Sequence, residues 1–345
     1  MIHFILKKIA YGVLVMTGVV IIVFFLFQGF GDPTRLIIGQ TGDSATINNI
    51  RKELGLDKSK TQQFALYVND ISPLGFYSLK EREEKNIKGF FVGEFGIKIP
   101  YLRQSYQSKK NVSDILMEAL PQTILLASAA MLIAIFFGII LGVIAAVKQN
   151  TWLDTGSIFA SVVGISAPSF FIGIVIAYIF GFVLNDYTGL SLTGSLYEVD
   201  AFAGKQLQLK NLILPALTLG IRPMAIITQI TRSSMLDVLQ QDYIRTAYAK
   251  GLSHSVVVFK HGLKNALNPV ITAITGWFAE LLAGAFFVEY IFGWNGIGKL
   301  TVSALENLDF PVVMGSVLLT AAFFIMVNIL ADILYSYIDP RIKLT

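Results

Sequence analysis

PQTILLASAAMLIAIFFGIILGVIAAV, residues 121–147, holds 27 consecutive residues without one charge. At 1.5 Å per residue such a helix exceeds the roughly 30 Å of a bilayer's hydrocarbon core. Five further apolar stretches lie around it, at about Ile9–Phe30, Thr155–Leu184 (interrupted by Pro168), Asn211–Thr231, Pro269–Phe292 and Pro311–Tyr335. The composition agrees: 54% of the 345 residues are hydrophobic, only 14% are charged, and mean hydropathy is +0.65. A soluble domain has about 25% charged residues and cannot hide that much apolar surface. The expected fold is therefore an all-α membrane protein with six transmembrane helices in a lipid bilayer. The net charge of +4 argues against a nucleic-acid partner. With no cysteine and only His3, His254 and His261, disulfides, thiolate catalysis and Cys- or His-based metal sites are not expected.

Lysine and arginine in the short loops set the orientation. An N-terminus inside the cell places ten basic residues there, among them Lys7, Lys8, Lys148, Arg232, Lys260 and Arg341, and leaves three, Lys205, Lys210 and Lys299, in the short outer loops. Both termini are then cytoplasmic. Residues 31–115 lie outside despite 13 basic and 10 acidic side chains, because loops longer than about 60 residues translocate largely regardless of charge. The first apolar run has too long a core and no small-residue cleavage site for a signal peptide, so it is expected to remain as helix 1. The organisation predicted is 1–30 as N-terminus and helix 1, 31–115 as an extracytoplasmic subdomain, and 116–345 as a five-helix core with a cytoplasmic loop at 232–268. Within 31–115, Ile47–Val68 has helical periodicity and Lys80–Lys88 reads as a solvated charged face.

Gly293-Trp294-Asn295-Gly296-Ile297-Gly298-Lys299 nearly spells a phosphate-binding loop, but Leu300 stands where magnesium needs Ser or Thr, and no strand precedes it. It is read as a Gly-rich turn, and no catalytic residues are assigned. The loop 232–268 says more. Asp242–Leu252 predicts a short helix stopped by Gly251 in a left-handed cap, and Ser253–Leu267 a second helical piece before Asn268-Pro269 opens the fifth span. Two short helices along the inner face suit either a groove on a soluble partner or the lipid headgroups.

This loop resembles the coupling motif of the permease B subunits of peptide and nickel ABC importers. Of the general form Glu-Ala-Ala-x3-Gly-x9-Ile-x-Leu-Pro, Ala247, Gly251 and Leu263 match, while Arg245, Thr246, His261 and Lys264 depart from it; Arg-Thr-Ala-x-Ala-Lys-Gly, as at 245–251, is the usual spelling in the peptide subgroup. Gly31-Asp32-Pro33, Glu53–Asp57, Ala167–Phe170, Leu214–Leu217, Glu289 with the Gly-rich turn, Asp309-Phe310-Pro311 and Asp339–Ile342 carry the resemblance along the chain; residues 70–110 look like an insertion. The resemblance implies a translocation subunit, not an enzyme. It would work in the bacterial inner membrane with a second permease, two cytoplasmic ATPases that bind ATP and Mg, and an extracytoplasmic substrate-binding protein. It implies that Tyr243, Arg245, Thr246, Ala247, Ala249, Lys250 and Gly251 couple to the ATPases. It also suggests that faces such as Gly138-x-x-x-Gly142 pack against the second permease. Di- or oligopeptides are the expected cargo, with nickel or a nickel chelate as the alternative. An ion-coupled secondary transporter and a sensor are rivals from other classes.

Arg222 and Glu280 each lie 11 residues into their span, at matching depth. Ionisable groups at depth mark either a pathway or a mutually neutralising buried pair. Because burial normally demands pairing, the favoured reading is a pair that holds spans four and five in register, with Arg222 and Glu280 as candidate pathway residues for the two ends of a peptide as the alternative. Glu118, Glu289 and Asp332, near span ends, read as structural. Pro168 and Pro223 predict breaks or kinks.

Overall fold

A computed structural model describes residues 2–28, 51, 56–200 and 204–338. In chain order its helices are α1 (Ile2–Gln28), α2 (Lys60–Ile71), α3 (Leu79–Glu84), α4 (Val112–Val147), α5 (Trp152–Ser166), α6 (Ser169–Ile176, continued by a π-helical stretch to Val183) and α7 (Asn185–Thr188). Then come α8 (Ile213–Leu239), α9 (Asp242–Ala249), α10 (His254–Val256, leading through π-helical Val257–Leu263), α11 (Lys264–Gly284), α12 (Phe286–Phe292), α13 (Ile297–Glu306) and α14 (Phe310–Ile338). Among the described residues four helices are long and apolar enough to cross a membrane: Leu6–Gln28, Val112–Val147, Leu209–Leu239 and Phe310–Ile333. The number rises to six if the bent pairs α5/α6 and α10–α11/α12 each count as one span. The first pair turns by 109° at Ala167-Pro168, where proline excludes the helical conformation from the residue before it.

The chain divides into two compact units. In the first, Met1–Ile5, Pro121–Lys299 and Phe323–Thr345, α8 is the central helix. It buries Leu214, Leu219, Ala225, Ile227 and Met235 and packs against α5, α6 and α11. The small-residue stripe of α4 approaches it closely. A Cβ on Gly138 would stand 2.8 Å from the Ile227 side chain, and one on Gly142 would stand 2.7 Å from the Thr228 carbonyl oxygen. The Gly138-x-x-x-Gly142 face is therefore filled by α8 of the same chain, which corrects the expectation that it serves a second permease. Asn268-Pro269 does not open a helix either: helical structure is continuous from His254 to Gly284, and Pro269 sits inside α11. Pro223 likewise lies within an unbroken α8.

The second unit comprises Leu6–Leu120 and Leu300–Ala322. Its helix α2 starts at a capping box in which Ser59 and Gln62 satisfy each other's backbone N–H. One face, Phe64, Tyr67 and Ile71, packs on Val20, Phe24 and Leu318. Asp309 precedes α14 and also gathers the 105–107 loop, accepting hydrogen bonds from the Ser105 hydroxyl and from the Tyr106 N–H at 2.9 Å. An all-α chain was expected, and here the structure differs. Strands β1 (Leu74–Phe76), β2 (Gly89–Val92) and β3 (Phe95–Lys98) form an antiparallel sheet in the order β1-β3-β2. A second hairpin, β4 (Tyr197–Asp200) and β5 (Gly204–Leu207), lies in the other unit. The physical reason is local: Phe90–Ile97 is rich in aromatic and β-branched residues around Gly93-Glu94, and Gly93 at φ +65° makes a two-residue hairpin turn. The single helix predicted at Ile47–Val68 is corrected: residues 56–58 form a turn, Ser59 is an extended N-cap and helix resumes only at Lys60. Residues 47–50 and 52–55, Glu53–Gly55 among them, lie outside the described residues, as do Gly31–Pro33 and Asp339–Ile342.

Candidate coupling site and membrane charge clusters

Helix α9 is the short helix that the sequence predicts, and its two faces are unequal. Ile244 and Ala247, three residues apart, are buried against Val257 and Leu239. Tyr243, Arg245, Thr246, Tyr248, Ala249 and Lys250 stay exposed. A helix of eight residues does not persist alone in water, so this one is held by its surroundings. Tyr248 Oη lies 2.8 Å from His254 Nδ1 with the rings stacked, and Asn265 donates to Tyr243 Oη at 3.2 Å. The stop is at Gly251, φ +78°, with its N–H donating to the Tyr248 carbonyl at 2.9 Å. No atom lies within 4 Å of a Cβ placed there, so glycine is required by conformation, not by space. Arg245 reaches Asp242, one turn earlier, at 3.6 Å, and both side chains remain open to solvent. The result is an anchored knob with two tyrosines, an arginine and a lysine on its outer side.

The structure brings Arg222 and Glu280 together, but not as a buried pair. Arg222 Nη1 stands 3.9 Å from Glu280 Oε1, each side chain 53% exposed within this chain. The Arg222 guanidinium lies 5.4 Å from the Trp277 ring centre, in reach of a cation–π contact. Both line a cavity of about 60 Å³ with Ser169 and Thr218. Their shared depth was foreseeable; their exposure was not, since a one-chain sequence does not show what covers a helix face.

Two sets of contacts were not legible in the sequence: those of Glu289, which it marks only as structural, and those of Asp154. Glu289 is fully buried on α12. It accepts from the Thr123 hydroxyl at 2.7 Å, the Gly298 N–H at 2.7 Å and the Lys299 N–H at 3.2 Å. Thr123 in turn accepts from the Ile297 N–H at 2.8 Å, and the Trp294 indole donates to the Gln122 carbonyl at 2.9 Å. The near-miss phosphate loop is thus an amide cradle already filled by the chain's own carboxylate. Its signals in the sequence were a glutamate four residues before glycine on an otherwise apolar helix and the resemblance carried by Glu289 with the Gly-rich turn. The second cluster is Asp154 of α5. Arg232 of α8 grips it through Nε and Nη2, and the Asn150 N–H donates to it at 3.0 Å. Pairing satisfies both charges at a helix end where Arg232 had been counted only as a cytoplasmic marker.

The profile of the binding-protein-dependent transport system inner membrane component matches residues 138–344, and its N-terminal companion matches residues 1–127. The chain belongs to this family. Among the family's members, the dipeptide transport system permease protein DppB of Alkalihalophilus pseudofirmus is 34% identical over 99% of this chain and 100% of its own length. The glutathione transport system permease protein GsiC of Escherichia coli K12 is 35% identical over 99% of both chains. Among solved structures, a chain of an inward-facing MetNI methionine ABC transporter aligns at a TM-score of 0.49 and 12% identity, covering 66% of this chain and 97% of that one. The relatives are transport permeases, and the family is a membrane component of a larger system.

Proposed function

We propose that this chain is the permease subunit of an ATP-driven ABC importer for di- or oligopeptides, working as a multi-pass protein of the bacterial inner membrane. The observation that carries the reading is α9: a helix anchored by Ile244 and Ala247, stopped at Gly251, with a cationic and aromatic outer face. It stands in a chain similar over its whole length to dipeptide and glutathione permeases. In this reading the chain crosses the membrane six times with both termini inside, residues 31–115 form an extracytoplasmic subdomain, and 116–345 form the core. Tyr243, Arg245, Thr246, Ala247, Ala249, Lys250 and Gly251 transmit ATPase closure to the spans. A second permease, two ATPases that bind ATP and magnesium, and a substrate-binding protein complete the system; this chain supplies no catalytic residue.

Arg222 and Glu280 would line the pathway and meet the carboxylate and ammonium ends of a passing peptide. They form an open ion pair at 3.9 Å with both side chains half-exposed, which supports this over a buried, closed pair. The test is a mild-detergent purification of the tagged chain from native membranes. Recovery of two ATPases and a second permease, with peptide-stimulated ATP hydrolysis, is the expected result. A folded chain that returns alone would shift the reading to an ion-coupled carrier, and stimulation by nickel in place of peptides would select the metal branch.

A further inference from the structure

The sheet of the second unit carries its polarity in reverse. An antiparallel sheet with one solvated face normally turns apolar side chains inward and polar ones outward. Along β3 the opposite holds: Lys98 is 4% exposed, whereas Ile97 is 63% exposed. The register extends the pattern to all three strands. Leu74, Ile97 and Phe90 stand in one row across the sheet, and Phe76, Phe95 and Val92 in the next. Residues opposite each other share a face, so these six apolar side chains form one surface, every one of them exposed. The Phe76 and Phe95 rings lie 4.9 Å apart on it.

The other face is closed and cannot trade places with this one. There Lys98 donates to the Asp70 backbone carbonyl, and the buried Asp70 carboxylate accepts from Tyr77 Oη at 2.8 Å and Arg103 Nε at 3.0 Å. Lys85 approaches the same carboxylate at 3.6 Å, and burial brings the Lys98 pKa down to about 8. A slip of one residue would expel this ion cluster and bury the phenylalanines; the cluster fixes which face is open.

Size and rim identify what covers it. With roughly 150–250 Å² for each whole aromatic side chain, the six present on the order of 700 Å² of apolar surface. That is above the largest patch on a typical monomer, about 300–600 Å², and close to the roughly 800 Å² that each partner gives to a standard protein interface. A surface that enters lipid is rimmed by Lys and Arg. Here the two exposed charges at the ends of β2 are of opposite sign, Lys88 just before the strand and Glu94 at the hairpin tip between Val92 and Phe95. An aromatic centre with a mixed polar rim is the anatomy of a protein–protein contact.

We infer that the face formed by Leu74, Phe76, Phe90, Val92, Phe95 and Ile97 docks the soluble substrate-binding protein. The inference rests on the importer reading, which places residues 31–115, and with them the sheet, outside the membrane. The experiment uses the assembled complex in nanodiscs and the purified binding protein of the same system. Phe90→Ser combined with Ile97→Ser, both on the open face, is expected to weaken binding at least tenfold. Basal ATP hydrolysis stays unchanged, and maximal stimulation returns at saturating binding protein. A photo-crosslinking residue in place of Phe90 in the otherwise unchanged chain is expected to yield an adduct with that protein. Affinity unchanged within twofold, or an adduct with lipid or with a second copy of the chain, overturns the inference and leaves the importer reading standing. A complex purified without ATPases overturns both.

Discussion

Glu289 shows how one carboxylate organises a turn. Its three donors, Thr123, Gly298 and Lys299, converge from two places far apart in sequence, and Gly296 leaves room for the carboxylate where a Cβ would collide with it. Each buried donor left without an acceptor costs about 1–3 kcal/mol. Glu289→Ala orphans all three, so the detergent-solubilised chain should melt well below the natural one. Glu289→Gln keeps one acceptor oxygen and should lie between. Equal melting temperatures for the alanine variant and the natural chain would show that water or another group replaces the carboxylate.

At the scale of the element, α9 works only if its end is fixed. Gly251 holds a left-handed backbone that costs a residue with a side chain about 1–2 kcal/mol, most for a β-branched one. Gly251→Val should therefore loosen the knob and abolish substrate-stimulated ATP hydrolysis while the complex still assembles. Gly251→Asn, which visits that conformation readily, should retain much of the activity. Similar activity in both variants would separate the turn from coupling. The helix and its stop were legible in Asp242–Leu252 because capping is local chemistry. The bend between α11 and α12, and the cradle around Glu289, were not: Thr123 and Glu289 are 166 residues apart, and only the packed fold makes them neighbours.

Across the whole molecule, the long charge-free runs announced the membrane, and the structure extends them. Helix α4 begins at Val112, nine residues before the apolar stretch, and α1 and α14 also run past the sequence limits. What composition concealed was the sheet, because its apolar residues lie among lysines and glutamates that average to a polar loop. The proposed topology has a direct check, since the chain has no cysteine of its own. In intact spheroplasts, a membrane-impermeant maleimide should label Glu84→Cys and spare Lys250→Cys until the membrane is opened. Labelling of Lys250→Cys from outside would invert the arrangement.

The reversed sheet also bears on how this protein can be handled. Strands β1 and β2 are both edges; the Asn69 side chain already takes the outward N–H and carbonyl of Phe76 on β1, whereas β2 runs along its edge beside bare phenylalanines, the combination that templates sticking between chains. A soluble fragment cut out around residues 56–111 would be expected to self-associate in the tube. Its oligomers would mask the patch, and a negative binding result with such a fragment would say nothing about the intact permease.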